Sequence, residues 1–402
     1  MTVITASGYT FFILNFKTMK QTSLLTVFYL LLIQVCTGQE LPDYTLKDVP
    51  IVVDLDSIPN IQFESLKFNN IQYIPLETSE ECLIGHADKT LIRNNRIYVA
   101  DFHVSIALFV FDMNGKFLFK ISKFGQGPSE YVSFRDFDIQ SNGDIFMFDH
   151  FGKKFLVFNQ DGKFLHDIRT DYAFSSFCIV KDKLYWANLY DSGKKFSALA
   201  VYNMSDKKIG FLLKNRKFLM GADQYSYVSY KFFSSPPDIT YYSPRFSDII
   251  YAIDDRGIHP FIGIKGKNLR LPPEHIIREW DSKMTSKNFF DMSEDKLYFK
   301  ENTHIYETDR YIVLRCINGA QFNTLHLIYN KQSGTFSSTL TLFFYIHFCS
   351  NGPMGSTGKE FFSVINFNPD NKEHKKLLES REELKNWKEE DNPVIVLYDL
   401  DM

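Results

Sequence analysis

The sequence predicts an all-β protein, and three observations carry that prediction. First, two stretches 47 to 48 residues apart repeat one another. Ile97 to Asp101, Leu108 to Asp112 and Asn114 to Leu118, ending at Ile121, are matched by Ile145 to Asp149, Phe155 to Asn159 and Asp161 to Leu165, ending at Ile168. A period of this size, made of short strands and tight turns, marks a β-propeller blade. Second, Asn-Gly or Asp-Gly falls at matching places, Asn114-Gly115 and Asp161-Gly162, where a tight hairpin needs positive φ. Third, the C-terminal segment supplies only three strands for its blade, and a strongly apolar strand, Ile71 to Leu76, stands spare near the other end. The predicted fold is therefore a six-bladed β-propeller with the N-terminal strand closing the last blade, which leaves no free sheet edge. Seven blades would need about one more ~45-residue unit than the chain holds.

Each blade has its own signals. Blade one spans about Thr90 to Ile121, with Asn94-Asn95 turning between its first strands, and blade two about Phe134 to Ile168, with Asn142-Gly143 in the same role. Blade three runs from Phe174 to Leu213, and its turns are Lys181-Asp182 and Ser205-Asp206. Blade four takes Val228 to Phe232, Ile239 to Tyr242, Ile249 to Ile253 and Pro260 to Ile264. Leu271-Pro-Pro then opens a short helix, Glu274 to Met284, since proline is tolerated in a first turn. Blade five spans Ile305 to about Leu340. Blade six takes Leu342 to Ile346, Phe361 to Ile365 and Val394 to Tyr398, with a charged helix at Glu373 to Lys388. Leu377, Leu378, Leu384 and Trp387 are spaced for one face of that helix, which suits packing against the ring. Asn351 to Gly358 reads as a long glycine-rich loop.

Bulk composition bounds the function. The 402 residues include 40 Phe and 22 Tyr, large flat side chains suited to half-buried strands. The formal charge is -3, so there is no basic excess to neutralise phosphates, and nucleic acid is excluded as an expected partner.

Lys17 and Lys20 precede the apolar run Leu24 to Ile33, too short to span a bilayer and right for the core of an export signal. Residues 1–38 are read as a signal peptide, residues 1–18 as an over-long start ahead of Met19, 39–69 as a lead-in draped over the ring, and 70–402 as the propeller. Cleavage after Gly38 is one outcome; a lipid on Cys36 is another and would be the chain's one route to a membrane. The expected location is the periplasm or the cell surface. Cys82, Cys178, Cys316 and Cys349 sit in strand-like apolar contexts with no Cys-x-x-Cys spacing, and read as buried free thiols.

Ile97 to Leu118 resembles the NHL repeat. Phe124-Gly-Gln-Gly-Pro-Ser-Glu-Tyr131 is similar to the Gly-x-Gly-Pro-x-Glu-Tyr linker of six-bladed β-propeller proteins exported by Bacteroides-type bacteria, and Asn392 to Tyr398 is similar to their closing strand. The resemblance covers roughly residues 40–402. It implies a fold and an exported location more than an activity.

The candidate ligand site is that linker together with the first residues of blade two: Gly125, Gln126, Gly127, Glu130, Tyr131, Arg135 and Asp136. Two glycines let the backbone approach a ligand closely, and Glu130, Tyr131, Arg135 and Asp136 bring both charges and an aromatic face to the channel mouth. The plainer reading is a tight inter-blade turn with Glu130 paired to Arg135. Asp101 and Asp149 end equivalent strands and suit the acceptance of turn amides. His103 and His150 occupy nearly matching loop positions, a thin hint of a metal at the channel. No nucleophile signature is present, so no catalytic residue, metal ligand or cofactor is assigned. The expectation is an exported binding or scaffolding module of the cell envelope, its partner an unknown polysaccharide or envelope protein. The alternative is a metal-dependent propeller lyase or hydrolase with its site at the central channel, and a third reading is an interaction disk with an exposed apolar face.

Overall fold

The computed structural model describes residues 2–6, 9–13, 42, 44–61, 66–172, 174, 176–190, 196–214, 232–235, 239–244, 247–266, 299–318, 323–340, 353–368 and 370–402. The chain divides into two units, Met1–Pro42 and Asp43–Met402. In the first, Thr2–Ala6 pairs antiparallel with Tyr9–Ile13. The apolar run at 24–33 and Cys36 lie outside the described residues, as do the expected helix at 274–284 and the strand at 342–346.

The second unit is a ring of six antiparallel blades, each counted from its inner strand outward. Blade one is Lys89–Arg93, Arg96–Asp101, Ala107–Asp112 and Phe117–Ile121. Blade two is Phe134–Ile139, Ile145–Asp149, Lys154–Phe158 and Phe164–Arg169; blade three is Ser176–Val180, Lys183–Tyr190, Phe196–Asn203 and Lys208–Lys214. Blade four is Phe232–Ser235, Ile239–Tyr242, Ile249–Asp254 and Gly257–Lys265; blade five is Phe299–Glu307, Tyr311–Asn318, Asn323–Asn330 and Thr335–Leu340. Blade six is Gly355–Ser356, Phe361–Ile365, Val394–Asp401 and, on the outside, the N-terminal strand Lys67–Pro75. The spare strand closes the ring as the sequence predicts, in antiparallel register from Val394 opposite Pro75 to Asp401 opposite Lys67.

The lead-in covers other outer edges on its way. Ile51–Asp54 runs parallel to the outer strand of blade four, and Asn60 bridges Ser338 on that of blade five. Blade six departs from expectation on its inside. Its inner strand is only Gly355–Ser356, within the stretch read as a loop. A Cβ on Gly355 would collide with the Phe362 ring, so a side chain has no room there.

Strand alternation builds the core. Within Arg96–Asp101, Ile97 and Val99 face the blade-six side, while Tyr98 and Ala100 face blade two. The same division recurs around the ring and yields six buried clusters, one between each neighbouring pair of blades. The helix Lys372–Ser380 sits in the connection between the second and third strands of blade six. Asn371 caps it through the amides of Glu373 and His374, and Leu377 and Leu384 are buried, with Leu378 and Trp387 packed beside them. It ends at Ser380, short of the expected Lys388, and a separate turn, Glu382–Leu384, comes after it.

An up-and-down blade has two ends. Links between blades and the loops joining second to third strands lie at one, here the link end. The turns between first and second and between third and fourth strands lie at the other, the hairpin end.

Candidate functional site

At the link end, residues 122–133 join blade one to blade two and hold the Gly-x-Gly-Pro segment. The segment is tied to itself. Gly125 N–H donates to the Tyr131 carbonyl at 2.9 Å, and Tyr131 N–H donates to the Lys123 carbonyl at 2.9 Å. The Glu130 carboxylate turns back to accept Gly127 N–H at 2.8 Å, and a Cβ on Gly125 would collide with that carboxylate. Lys154 Nζ donates to the Gly127 carbonyl at 3.1 Å. Tyr131 is buried, its hydroxyl donating toward the carbonyls of Ile106 and Ile121, and burial pushes its phenol pKa up. Glu130 therefore bonds within its own turn; among the described residues no ion pair joins it to Arg135.

Asp136 is buried on the inner strand of blade two. It accepts Lys89 Nζ from blade one at 2.7 Å and Phe177 N–H from blade three at 3.1 Å. Asp138 accepts Ile179 N–H at 2.8 Å in the same way. Inner strands offer the channel an unpaired edge, and these carboxylates satisfy its amides. Burial raises the Asp136 carboxyl above its ordinary value, against the opposing pull of Lys89. Of the seven residues singled out in the sequence, Gln126 and Arg135 are exposed, while Tyr131 and Asp136 belong to the interior.

Asp101 and Asp149 take the role expected of them. Asp101 accepts amides from Gly85, His86, His103, Val104 and Ser105 at 2.8–3.1 Å, which ties the link before blade one to its second loop. Asp149 accepts Val132, Ser133 and Gly152 in the equivalent frame of blade two. In blade one this frame brings together residues that the sequence pattern does not connect. His86 Nδ1 lies 2.8 Å from Asp88 Oδ1, and His103 Nδ1 lies 3.0 Å from each Asp88 oxygen. His150 joins no such group among the described residues. Its ring packs edge-on against Phe148 and Phe151, and burial, then the Arg135 charge, pushes its pKa down. A His-x-Asp aligned against the second repeat, where Ser133 and Arg135 stand instead, is the signal that could have found the first group.

The link end of blades one and two also exposes large apolar side chains: Leu83, Val104, Phe124 and Phe151, the last two each 69% exposed.

The hairpin end holds a cavity of about 630 Å³. Five blades line it, through Arg93 and Asn94, Asp138 and Gln140, Lys181, Thr240, and Lys359 and Glu360. None of the seven sequence candidates lines it. Burial, then the neighbouring Asp399, raises the Glu360 carboxyl above its ordinary value. Among the described residues that line it there is no cysteine and no histidine.

The family described as "Domain of unknown function (DUF4934)" matches residues 46–399. No curated protein matches the chain. Among solved structures, the chain is similar to the Bacteroides fragilis protein BF0058, provisionally described as exported. The TM-score is 0.66 at 16% identity, over 87% of this chain and 100% of that one. It is also similar to a DUF4221-family member from Bacteroides vulgatus, with a TM-score of 0.50 and 10% identity over 84% and 98% of the two chains. These likenesses show the fold. A virginiamycin B lyase from Staphylococcus aureus matches at a TM-score of 0.39 and 10% identity, over 83% and 99%, too distant to carry an argument about activity.

Proposed function

The chain belongs to the DUF4934 family, and we propose that it acts as an exported binding module of the cell envelope that takes an acidic carbohydrate at the hairpin end of its ring. The observation that carries this reading is the cavity of about 630 Å³ and its lining. Hydrogen-bonding side chains from five blades converge there. Arg93, Lys181 and Lys359 stand among the lining beside Asp138 and Glu360, three cationic side chains to two carboxylates, which favours a ligand bearing carboxylates. The described lining is polar and charged at Arg93, Asn94, Gln140, Lys181, Thr240 and Lys359, which supports recognition through hydrogen bonds and charge. The signal-like run at 24–33 and the likeness to a protein provisionally described as exported support the location.

Calorimetry of the purified full chain against uronate-containing and neutral oligosaccharides tests this. Preferential binding of the acidic set, weakened about tenfold by Lys359→Ala or Arg93→Ala, is expected. Equal binding of both sets, or variants that bind like the parent, would overturn it.

A second reading, docking of an envelope protein, draws on the exposed Leu83, Val104, Phe124 and Phe151. Photo-crosslinkers at positions 124 and 151 should then capture one defined envelope protein, and a crosslinker at Leu118 on the outer strand should not.

A further inference from the structure

We propose that His86, Asp88 and His103 form a binding site for one divalent transition-metal ion at the link end of blade one. The site lies at the opposite end from the cavity and is independent of the carbohydrate reading. Three features carry it: donor geometry, a rigid frame, and a comparison within the chain.

The donor atoms are two imidazole nitrogens and one carboxylate, all within 4.8 Å of one another. Both Nδ1 atoms lie 2.8–3.0 Å from Asp88 oxygens. An ion held about 2.1 Å from each donor sets neighbouring ligands about 3.0 Å apart in an octahedral shell and about 3.4 Å apart in a tetrahedral one, so it could enter with small ring rotations. The rings stand edge to face, with centroids 6.3 Å apart. Their side chains are 66% and 63% exposed while Asp88 is 9% exposed, so the carboxylate forms the floor and coordination positions stay open to solvent.

The frame is fixed before any ion arrives. Asp101 holds the backbone amides of both histidines, and Asp88 Oδ2 accepts Phe102 N–H at 2.7 Å. Gly85 permits the close approach, since a Cβ there would collide with Val104. A hydrogen-bonded scaffold of this kind orients metal ligands and lowers the cost of ordering them.

The same frame in blade two stands without the two imidazoles, and there Ser133 Oγ accepts Phe151 N–H as Asp88 accepts Phe102 N–H. Asp149 holds Val132 and Ser133 as Asp101 holds Gly85 and His86. Arg135 stands where Asp88 stands, a cation where a metal ligand would be. Blade one carries both histidines on a scaffold that does not depend on their rings. His86 also borders a hollow of about 440 Å³ that Glu389, Glu390 and Asp391 help to line, carboxylates that favour an approaching cation. Mixed nitrogen and oxygen donors select a first-row transition ion over magnesium or calcium.

The test is calorimetry and metal analysis of the untagged full chain with zinc, with magnesium and calcium as controls. One zinc per chain is expected, with neither control ion binding at the site. His86→Ala and His103→Ala should each weaken zinc at least about tenfold, and the double variant should abolish the site. His150→Ala should bind as the parent does. Both rings are exposed, so the metal-free variants should melt at the parent temperature, which separates lost ligation from lost folding. Absence of stoichiometric zinc, or undiminished binding by the double variant, would overturn the proposal.

Discussion

Asp101 works as a hub through hydrogen bonds alone. It is fully buried and accepts five amides from two loops. Burial by itself raises its carboxyl; the amides of Val104, Ser105, His86 and His103 more than offset that and hold it below its ordinary 3.8. A depressed carboxyl pKa gives stability that is complete above the unfolded value and lost as pH falls through the folded one. Asp101→Asn should therefore lower the melting temperature from pH 5 to pH 8, and its deficit against the parent should shrink below about pH 4. Asp101→Ala should cost about 3 kcal/mol or more in denaturant unfolding, because several buried amides lose their acceptor at once. The hub role was legible in the sequence, since a repeated aspartate at a strand end implies turn amides. The turning of Glu130 onto Gly127 was not, because Arg135 offered an equally plausible partner five residues on.

Turn chemistry and packing set the elements. Gly115 and Gly162 both have positive φ, as the two hairpin turns demand. Gly115 also lies against the carbonyl of Pro75 on the closing strand, where a Cβ would collide, whereas Gly257, also at positive φ, has open space around it. Gly257→Ala should thus cost about 1 kcal/mol from backbone strain alone, and Gly115→Ala clearly more. Equal costs in urea melts would contradict that contact. In blade three, Trp186 stacks with Phe174 at 5.1 Å and with Tyr202 at 5.4 Å and is 1% exposed. Trp186→Ala should destabilise by about 3–5 kcal/mol, measured the same way. Blades one and two were plain in the sequence because alternation and turn residues agreed. The inner strand of blade six was not, because two small residues, Gly355 and Ser356, carry no alternation to read.

For the whole molecule, closure is the dominant fact. Each of the six buried clusters lies between two blades, so no blade owns a complete core, and the ring must close for the last interface to form. Lys67–Pro75 supplies the outer strand of blade six, and Ile74 and Leu76 belong to the cluster between blades six and one. A chain starting at residue 77 should lose the cooperative thermal transition and aggregate during gel filtration, since it bares the edge of Val394–Asp401. Replacing Ile51 to Asp54 with a polar linker should lower the melting temperature only modestly, because that strand adds to a blade that already has four.

By itself the sequence determined the six-bladed ring, its closing strand and the buried state of Cys82, Cys178 and Cys316. Those features arise from period, alternation and turn residues, which act over a few neighbours and can be read locally. The tertiary structure alone decided where side chains meet. His86 and His103 come together because Asp101 pins two loops, and the hairpin-end cavity gathers residues from Ile92 to Glu360. Such meetings depend on how blades stack and how each loop returns to the ring, and no local periodicity records that.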